Sequence, residues 1–303
     1  MAERTTNPRK AARAEAASRH MKQMADRYGR EIERASDETV RYDSAPVAEV
    51  EGCVPTVSVV DADAATVILE RGRGRAAFCD LAVLDFASFV SAAGGYARGN
   101  AGQEQSLCRE SYLANVLEGF GDWYAENRRR NLNCELYRNR ALFVPAVRFG
   151  RGKVHAYADV IVAAAPNAKR AVSDYKISAD VLADAMRDRI RFVLAILDDR
   201  GVKKAVLGAY GCGTFGWDAS EVAEMFRSEL ATGAHGVEEV VFAVPSTRYD
   251  DHFARFEHAL ATFPEKNTQS FADAQAARAA AAAAECAAAE AEDEEEDDWR
   301  KYL

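Results

Sequence analysis

Two glycine-bearing segments, each set between an apolar strand and a helix, constrain this chain more than any other feature. The first leaves Leu81-Ala82-Val83-Leu84, passes through Asp85 and Gly94-Gly95, and enters Gln103-Glu104-Gln105-Ser106. The second leaves Lys204–Tyr210 and passes through Gly211-Cys212-Gly213-Thr214-Phe215-Gly216, ahead of a helix capped near Asp218 or Ser220. Glycines let a backbone run close to a ligand and turn several N–H groups toward one anion. A helix N-terminus adds partial positive charge there. Taken singly, each loop reads equally as a tight turn that needs positive φ. Taken together, at the C-terminal ends of two strands, they define one crevice in an open α/β sheet.

The rest of the chain supplies the strands and helices such a sheet needs. Pro55–Asp61, Phe78–Phe86, Ala141–Val147, Val154–Ala164, Lys204–Tyr210 and Glu239–Pro245 read as strands, from β-branched or continuous apolar runs. Ala62–Leu69, Ser106–Tyr124, Ser178–Asp199 and Ser220–Leu230 read as helices, with Gly201 stopping the third. Arg128–Asn133 is polar. This alternation predicts a three-layer α/β/α domain with a mixed central sheet. Ahead of it, Pro8–Ala35 is basic and Ala-rich. Its stripe of Ala17, Met21, Met24, Tyr28 and Ile32 predicts a helix that packs on the domain or extends from it. Behind it, Gln275–Ala289 is almost all alanine, a strong helix former without a core face, and Glu290–Asp298 is acidic and solvated. The expected organisation is a basic helical extension (1–36), the α/β domain (37–264) and a low-complexity tail (265–303).

The chain's 303 residues are 49% hydrophobic and include 11 Tyr, 14 Phe and 3 Trp, enough for a sizeable core. A net charge of −9 argues against nonspecific binding of nucleic acid. The arginines at 71, 73 and 75 and at 128–130 therefore read as solvated loops rather than polyanion sites. The six cysteines, Cys53, Cys79, Cys108, Cys134, Cys212 and Cys286, form no CxxC pair, so no zinc site is expected. Their scatter fits reduced thiols in a cytoplasmic protein. The five histidines show no pairing motif. No signal peptide or membrane span is expected.

The first glycine segment resembles the signature of the microbial poly(ADP-ribose) glycohydrolases, a branch of the macrodomain superfamily. The family pattern is Gly-Gly-Gly, six to eight residues, then Gln-Glu-Glu. Here Ala93-Gly94-Gly95 is followed by seven residues and Gln103-Glu104-Gln105. Val83-Leu84-Asp85-Phe86-Ala87-Ser88 is similar to the family's strand ending, with Asp85 where Asn is usual. Ser106-Leu107-Cys108-Arg109, Ala164-Ala165-Pro166-Asn167 and Leu207–Gly216 also resemble family segments, so the likeness runs from roughly Arg27 to Pro264.

The resemblance implies a macrodomain-like fold and an ADP-ribose site. Gly94 and Gly95 would lie against the distal ribose and diphosphate. Gly211, Cys212, Gly213, Thr214, Phe215 and Gly216 would wrap the diphosphate, with Phe215 packed on the ribose or the pocket edge. Asp85 would contact the ribose or brace the loop. Ser88, Gln103 and Asn167 would add polar contacts. The implied reaction is hydrolysis of the O-glycosidic bond at the distal ribose, without metal or organic cofactor. The implied partner is ADP-ribose or an ADP-ribosylated macromolecule. Nucleic acid is expected only if itself ADP-ribosylated, no membrane is involved, and the chain is expected to be a monomer.

One departure bears on activity. The family's catalytic acid is the second Glu of the pair, where this chain has Gln105. An amide can hydrogen-bond but holds no acidic proton at neutral pH. Glu104 resembles the first acidic residue, which orients the ribose; a plainer role is to favour the helix N-terminus. Adjacent helical side chains diverge by about 100°, so only one of Glu104 and Gln105 is expected to face the ribose, and the resemblance implies that this is the position of Gln105. Three readings stay open. The chain is an ADP-ribose reader that has lost turnover, or it uses Glu104 as a weaker acid, or Gln105 is an inactivating replacement.

Overall fold

The computed structural model describes residues 7–281 and 283. Its strands are β1 (Val40–Tyr42), β2 (Thr56–Val60), β3 (Leu81–Phe86), β4 (Ala141–Arg151), β5 (Val154–Ala163), β6 (Lys204–Leu207) and β7 (Glu239–Ala243). They form one seven-stranded sheet in the order β1-β4-β5-β3-β6-β7-β2. β1, β4 and β5 pair antiparallel, and β5, β3, β6, β7 and β2 pair parallel, so the sheet is mixed as expected. β3 and β6, the strands that feed the two glycine loops, are parallel neighbours (Ala82 opposite Ala205). Both loops therefore leave the sheet at the same edge, side by side.

Strand alternation divides the core into two layers. Ala82, Leu84, Ile161, Leu207 and Phe242 face one side, with Ile190, Val193, Phe226 and Phe256. Leu81, Val83, Val160, Val206 and Val241 face the other, with Val67, Leu107, Leu113 and Tyr124. The helices on the second side are α1 (Pro8–Asp37), α2 (Ala64–Arg71), α3 (Gln103–Arg109), α4 (Leu113–Glu118) and α5 (Gly121–Arg130). Those after β5 are α6 (Ala168–Tyr175), α7 (Ala179–Asp199), α8 (Ala219–Leu230) and α9 (His252–Leu260). The result is the three-layer α/β/α architecture.

The segment read as one helix from Ser106 to Tyr124 is broken into three. Ser111 Oγ donates to the Leu107 carbonyl at 2.8 Å and accepts from Leu113 N at 3.1 Å, ending one helix and starting the next. Its backbone also bridges to Phe149 of β4. The arginines 128–130 close α5 instead of lying in a loop.

α1 packs on the domain through the stripe its spacing suggested. Ala17 is buried, and Met21, Met24, Tyr28 and Ile32 cover the second core layer. Asn7 caps it, accepting from Arg9 N at 3.0 Å, and Pro8 fits its first turn. Arg13 Nε donates to the Gly99 carbonyl at 2.8 Å, and Asn115 Nδ2 donates to the Met21 carbonyl at 2.9 Å. At the other end, residues 271–281 are helical. Phe271 lies edge-on to His258 of α9 and under the Arg255 guanidinium. The acidic run Glu290–Asp298 and Cys286 lie outside the described residues. No helix among the described residues is long and apolar enough to cross a membrane.

Candidate functional site

The site is built where β3 ends. The Gln103 side chain accepts from Phe86 N and donates to the Leu84 carbonyl, both at 2.9 Å. It thus satisfies the strand's last backbone groups and fixes the start of α3 against them. Glu104 Oε2 accepts from Ser88 N at 3.0 Å and from Gln105 Nε2 at 3.4 Å. Gln105 Nε2 also donates to the Ala93 carbonyl at 3.1 Å. The tips of Glu104 and Gln105 therefore meet rather than diverge. The 100° rule governs where side chains leave a helix; these two are long and curl to shared partners in the first turn of α3.

The intervening loop makes this possible by running left-handed through three residues, Ala93 (φ 48), Gly94 (φ 55) and Gly95 (φ 77). A Cβ on Gly94 would fall well inside 3.0 Å of both Glu104 Oε2 and Gln105 Nε2. Gly94 is therefore required for space as well as for φ. Asn100 Nδ2 holds this turn by donating to the Gly94 carbonyl at 2.7 Å.

The second loop is fixed from behind. Gly211 (φ 80) has Trp217 Cδ1 2.7 Å from where its Cβ would be, and Trp217 Nε1 donates to the Pro166 carbonyl at 2.8 Å. Lys169 N donates to the Phe215 carbonyl at 2.9 Å. Phe215 meets the Tyr137 ring at 6.3 Å, and Tyr137 stacks on Phe89 at 4.5 Å. Tyr137 belongs to a turn with positive φ at Asn133, Cys134, Glu135 and Tyr137. The buried Arg189 of α7 clamps that turn, with Nη2 donating to the Tyr137 and Arg138 carbonyls at 3.1 Å and Nη1 to Ala164.

Between the loops lies a cleft of about 940 Å³. Of the residues singled out by sequence, Ser88, Gly94, Gln103, Glu104, Gln105, Gly211, Gly213, Thr214 and Phe215 line it. Asp85, Gly95, Cys212 and Gly216 do not. Asp85 is fully buried beneath it. Gly95 abuts Arg98 and Asn100. The Cys212 thiol turns inward toward the Tyr210 carbonyl, and Gly216 backs onto Lys169. Asn167 caps α6, accepting from Arg170 N at 3.2 Å. Sequence reasoning missed Lys10 and Arg13 of α1, Asp63, Asn100, Tyr210, and Asp250 and His252 at the start of α9, all of which line the cleft. Only the basic character of the first forty residues hinted at any of these.

The floor of the cleft is acidic and buried. Glu104 and Gln105 are 3% and 6% exposed. Among the described residues, neither Asp85 oxygen nor Glu104 Oε1 has a hydrogen-bond partner. Burial pushes the Asp85 carboxyl well above the usual carboxylate range. Burial, and then the charge of Asp85, do the same to Glu104. Burial likewise raises the Cys108 thiol, making it an inert core group. No group of three or more His, Cys, Asp or Glu among the described residues is placed to hold a metal ion.

Residues 10–152 match the family model of the microbial-type PARG catalytic domain. That span opens inside α1 and holds the first glycine loop but not the second. The fold as a whole is similar to solved bacterial poly(ADP-ribose) glycohydrolases. The enzyme from Deinococcus radiodurans in complex with ADP-ribose is 26% identical, with a TM-score of 0.66 over 77% of this chain and 98% of that one. The enzyme from Thermomonospora curvata is 25% identical, with a TM-score of 0.69 over 81% of this chain and 98% of that one. No curated protein sequence matches the chain.

Proposed function

We propose that this chain is a microbial-type poly(ADP-ribose) glycohydrolase by descent, that it binds ADP-ribose in the cleft, and that Gln105 slows its hydrolysis of the O-glycosidic ribose bond. The observation that carries this reading is the convergence of both glycine loops on the Glu104–Gln105 pair. The distal ribose sits against Gly94 and the start of α3. The diphosphate lies along the backbone of Gly211–Phe215, where amides and a following helix favour an anion. Hydrolysis requires a proton for the leaving oxygen, oxocarbenium character at the ribose and an attacking water. Gln105 can hold the ligand but cannot give that proton.

A second reading, a non-catalytic ADP-ribose reader, is favoured by the same Gln105. Turnover separates the two. The chain and its Gln105→Glu variant are incubated with poly(ADP-ribose), and released ADP-ribose is measured. Slow release that rises about 100-fold in the variant supports a slowed hydrolase. Absence of release from either, with ADP-ribose still bound, supports the reader. In this proposal the protein acts as a monomer in the cytoplasm, where its thiols stay reduced.

A further inference from the structure

The cleft carries its unpaired cations on one wall. Of the described residues that line it, Lys10 and Arg13 of α1 and His252 of α9 are basic. His252 Nδ1 lies 3.3 Å from Asp250 Oδ1, an acid of its own wall. The wall made by Gly211–Phe215 offers backbone amides and no basic side chain. Lys10 and Arg13 are one helical turn apart, so they share a face of α1. Both are exposed.

That face is fixed against the first glycine segment. Arg13 Nε donates to the Gly99 carbonyl at 2.8 Å. Gly99 is left-handed (φ 73), and a Cβ there would fall well inside 3.0 Å of the Lys10 carbonyl oxygen. The first turns of α1 therefore rest on the Gly99 backbone itself. The next residue, Asn100, bonds the Gly94 carbonyl, and Gly94 abuts both Glu104 and Gln105. One loop thus separates the two cations from the Glu104–Gln105 pair. Among the described residues, the Lys10 ammonium and the two Nη atoms of Arg13 have no hydrogen-bond or ion-pair partner; Arg13 uses Nε alone to hold the loop. Its remaining fork of N–H donors suits two oxygens of one phosphate.

ADP-ribose has a single diphosphate, and on the reading given above it lies along Gly211–Phe215, away from α1. A second anion enters only with the leaving group. Where the leaving oxygen belongs to the adenosine of a preceding ADP-ribose unit, the diphosphate of that unit follows one ribose away. Where it belongs to a protein side chain, no phosphate follows. We propose that Lys10 and Arg13 form a leaving-side phosphate subsite, which makes the cleft selective for poly(ADP-ribose) over a single protein-linked ADP-ribose. This rests on the reading of the cleft as an ADP-ribose site. The distal ribose of the terminal unit lies at Gly94, its diphosphate on the second loop, and the diphosphate of the preceding unit against α1. Arg13 grips that phosphate through its Nη atoms and Lys10 adds a point charge. Neither residue takes part in a bond-making step; they determine which substrate is held.

The test is a set of calorimetric titrations of the full chain with free ADP-ribose, a poly(ADP-ribose) oligomer of defined length, and a peptide bearing one ADP-ribose. Lys10→Glu is the main variant, because the Lys10 side chain holds no other element in place. It should weaken oligomer binding by about tenfold, an attraction being replaced by a repulsion, and leave the other two probes within about twofold. Lys10→Arg should bind the oligomer as the parent does. Oligomer binding should also fall more steeply with salt than ADP-ribose binding, and Lys10→Glu should narrow that difference. A parent chain that binds the oligomer no more tightly than ADP-ribose overturns the proposal. So does a Lys10→Glu protein that keeps its oligomer affinity, or one that loses affinity for the peptide or for free ADP-ribose as much as for the oligomer. In each of those cases the parent still binds ADP-ribose, so the reading of the cleft survives. A parent that binds neither ADP-ribose nor the oligomer refutes that reading, and the subsite with it.

Discussion

Replacing Gly94 with alanine tests the steric logic of the site. Gly94 has φ 55, a region that costs an L-residue about 1–2 kcal/mol. The neighbouring Ala93 has φ 48 and is fully buried, so this loop already bears one such residue. What distinguishes Gly94 is that its added Cβ would fall well inside 3.0 Å of both Glu104 Oε2 and Gln105 Nε2. One of those side chains must leave. Losing the Gln105 bond to the Ala93 carbonyl would add about 0.5–1.5 kcal/mol. The sum is about 1.5–3.5 kcal/mol, equivalent to a fall in Tm of about 3–14 °C for a domain of this size. Differential scanning calorimetry reads the stability. Isothermal titration with ADP-ribose should show affinity reduced by about tenfold or more, because the displaced side chain enters the ribose position. Ala93→Gly is the control: it removes strain and a buried methyl together, and should stay within about 1 kcal/mol of the parent. A Gly94→Ala protein with unaltered Tm and unaltered affinity would refute the reasoning.

Other perturbations give sharper contrasts. Gly213 has no atom within 4 Å of its Cβ position and lines the cleft, so Gly213→Val should weaken ADP-ribose binding while leaving Tm nearly unchanged; a drop in Tm with intact binding would show that the loop serves the fold. Deleting Gln275–Leu303 should leave affinity within a few-fold, since within it Arg278 makes only an exposed ion pair with Glu257, while Phe271 and Ala274 are kept; insoluble protein would contradict this. His235 sits between Asp198 and Glu229: burial opposes its charge, but these acids prevail and raise it above the ordinary 6.5. Its contribution to stability is complete below 6.5 and is lost as pH rises through the raised value, so His235→Asn should flatten the decline of Tm across that window. A decline of the same slope in the variant would count against it.

The parts of the fold that were legible in the sequence are those set by period. The α1 stripe of Met21, Met24, Tyr28 and Ile32 packs half-buried on the core, and the α7 series from Met186 to Leu197 is buried, where their spacing puts them. The two glycine loops likewise lie together because β3 and β6 are paired. What period does not encode was missed. Ser111, bonded back to the Leu107 carbonyl and accepting from Leu113 N, lies at a break in a continuous apolar pattern, and the three-residue β1 is too short to show alternation. Lys10, Arg13, Asp63 and His252 reach the cleft only because α1, the start of α2 and α9 are folded over it. The meeting of Glu104 with Gln105 depends on rotamers and on the left-handed turn opposite.

The account stands most directly on a calorimetric titration of the full chain with ADP-ribose. Saturable binding at one site per chain, weakened by Gly213→Val and retained in Gln105→Glu, is the result it predicts. A chain that is folded and soluble yet shows no heat of binding at ADP-ribose concentrations up to the millimolar range, about −4 kcal/mol of binding free energy, would contradict it.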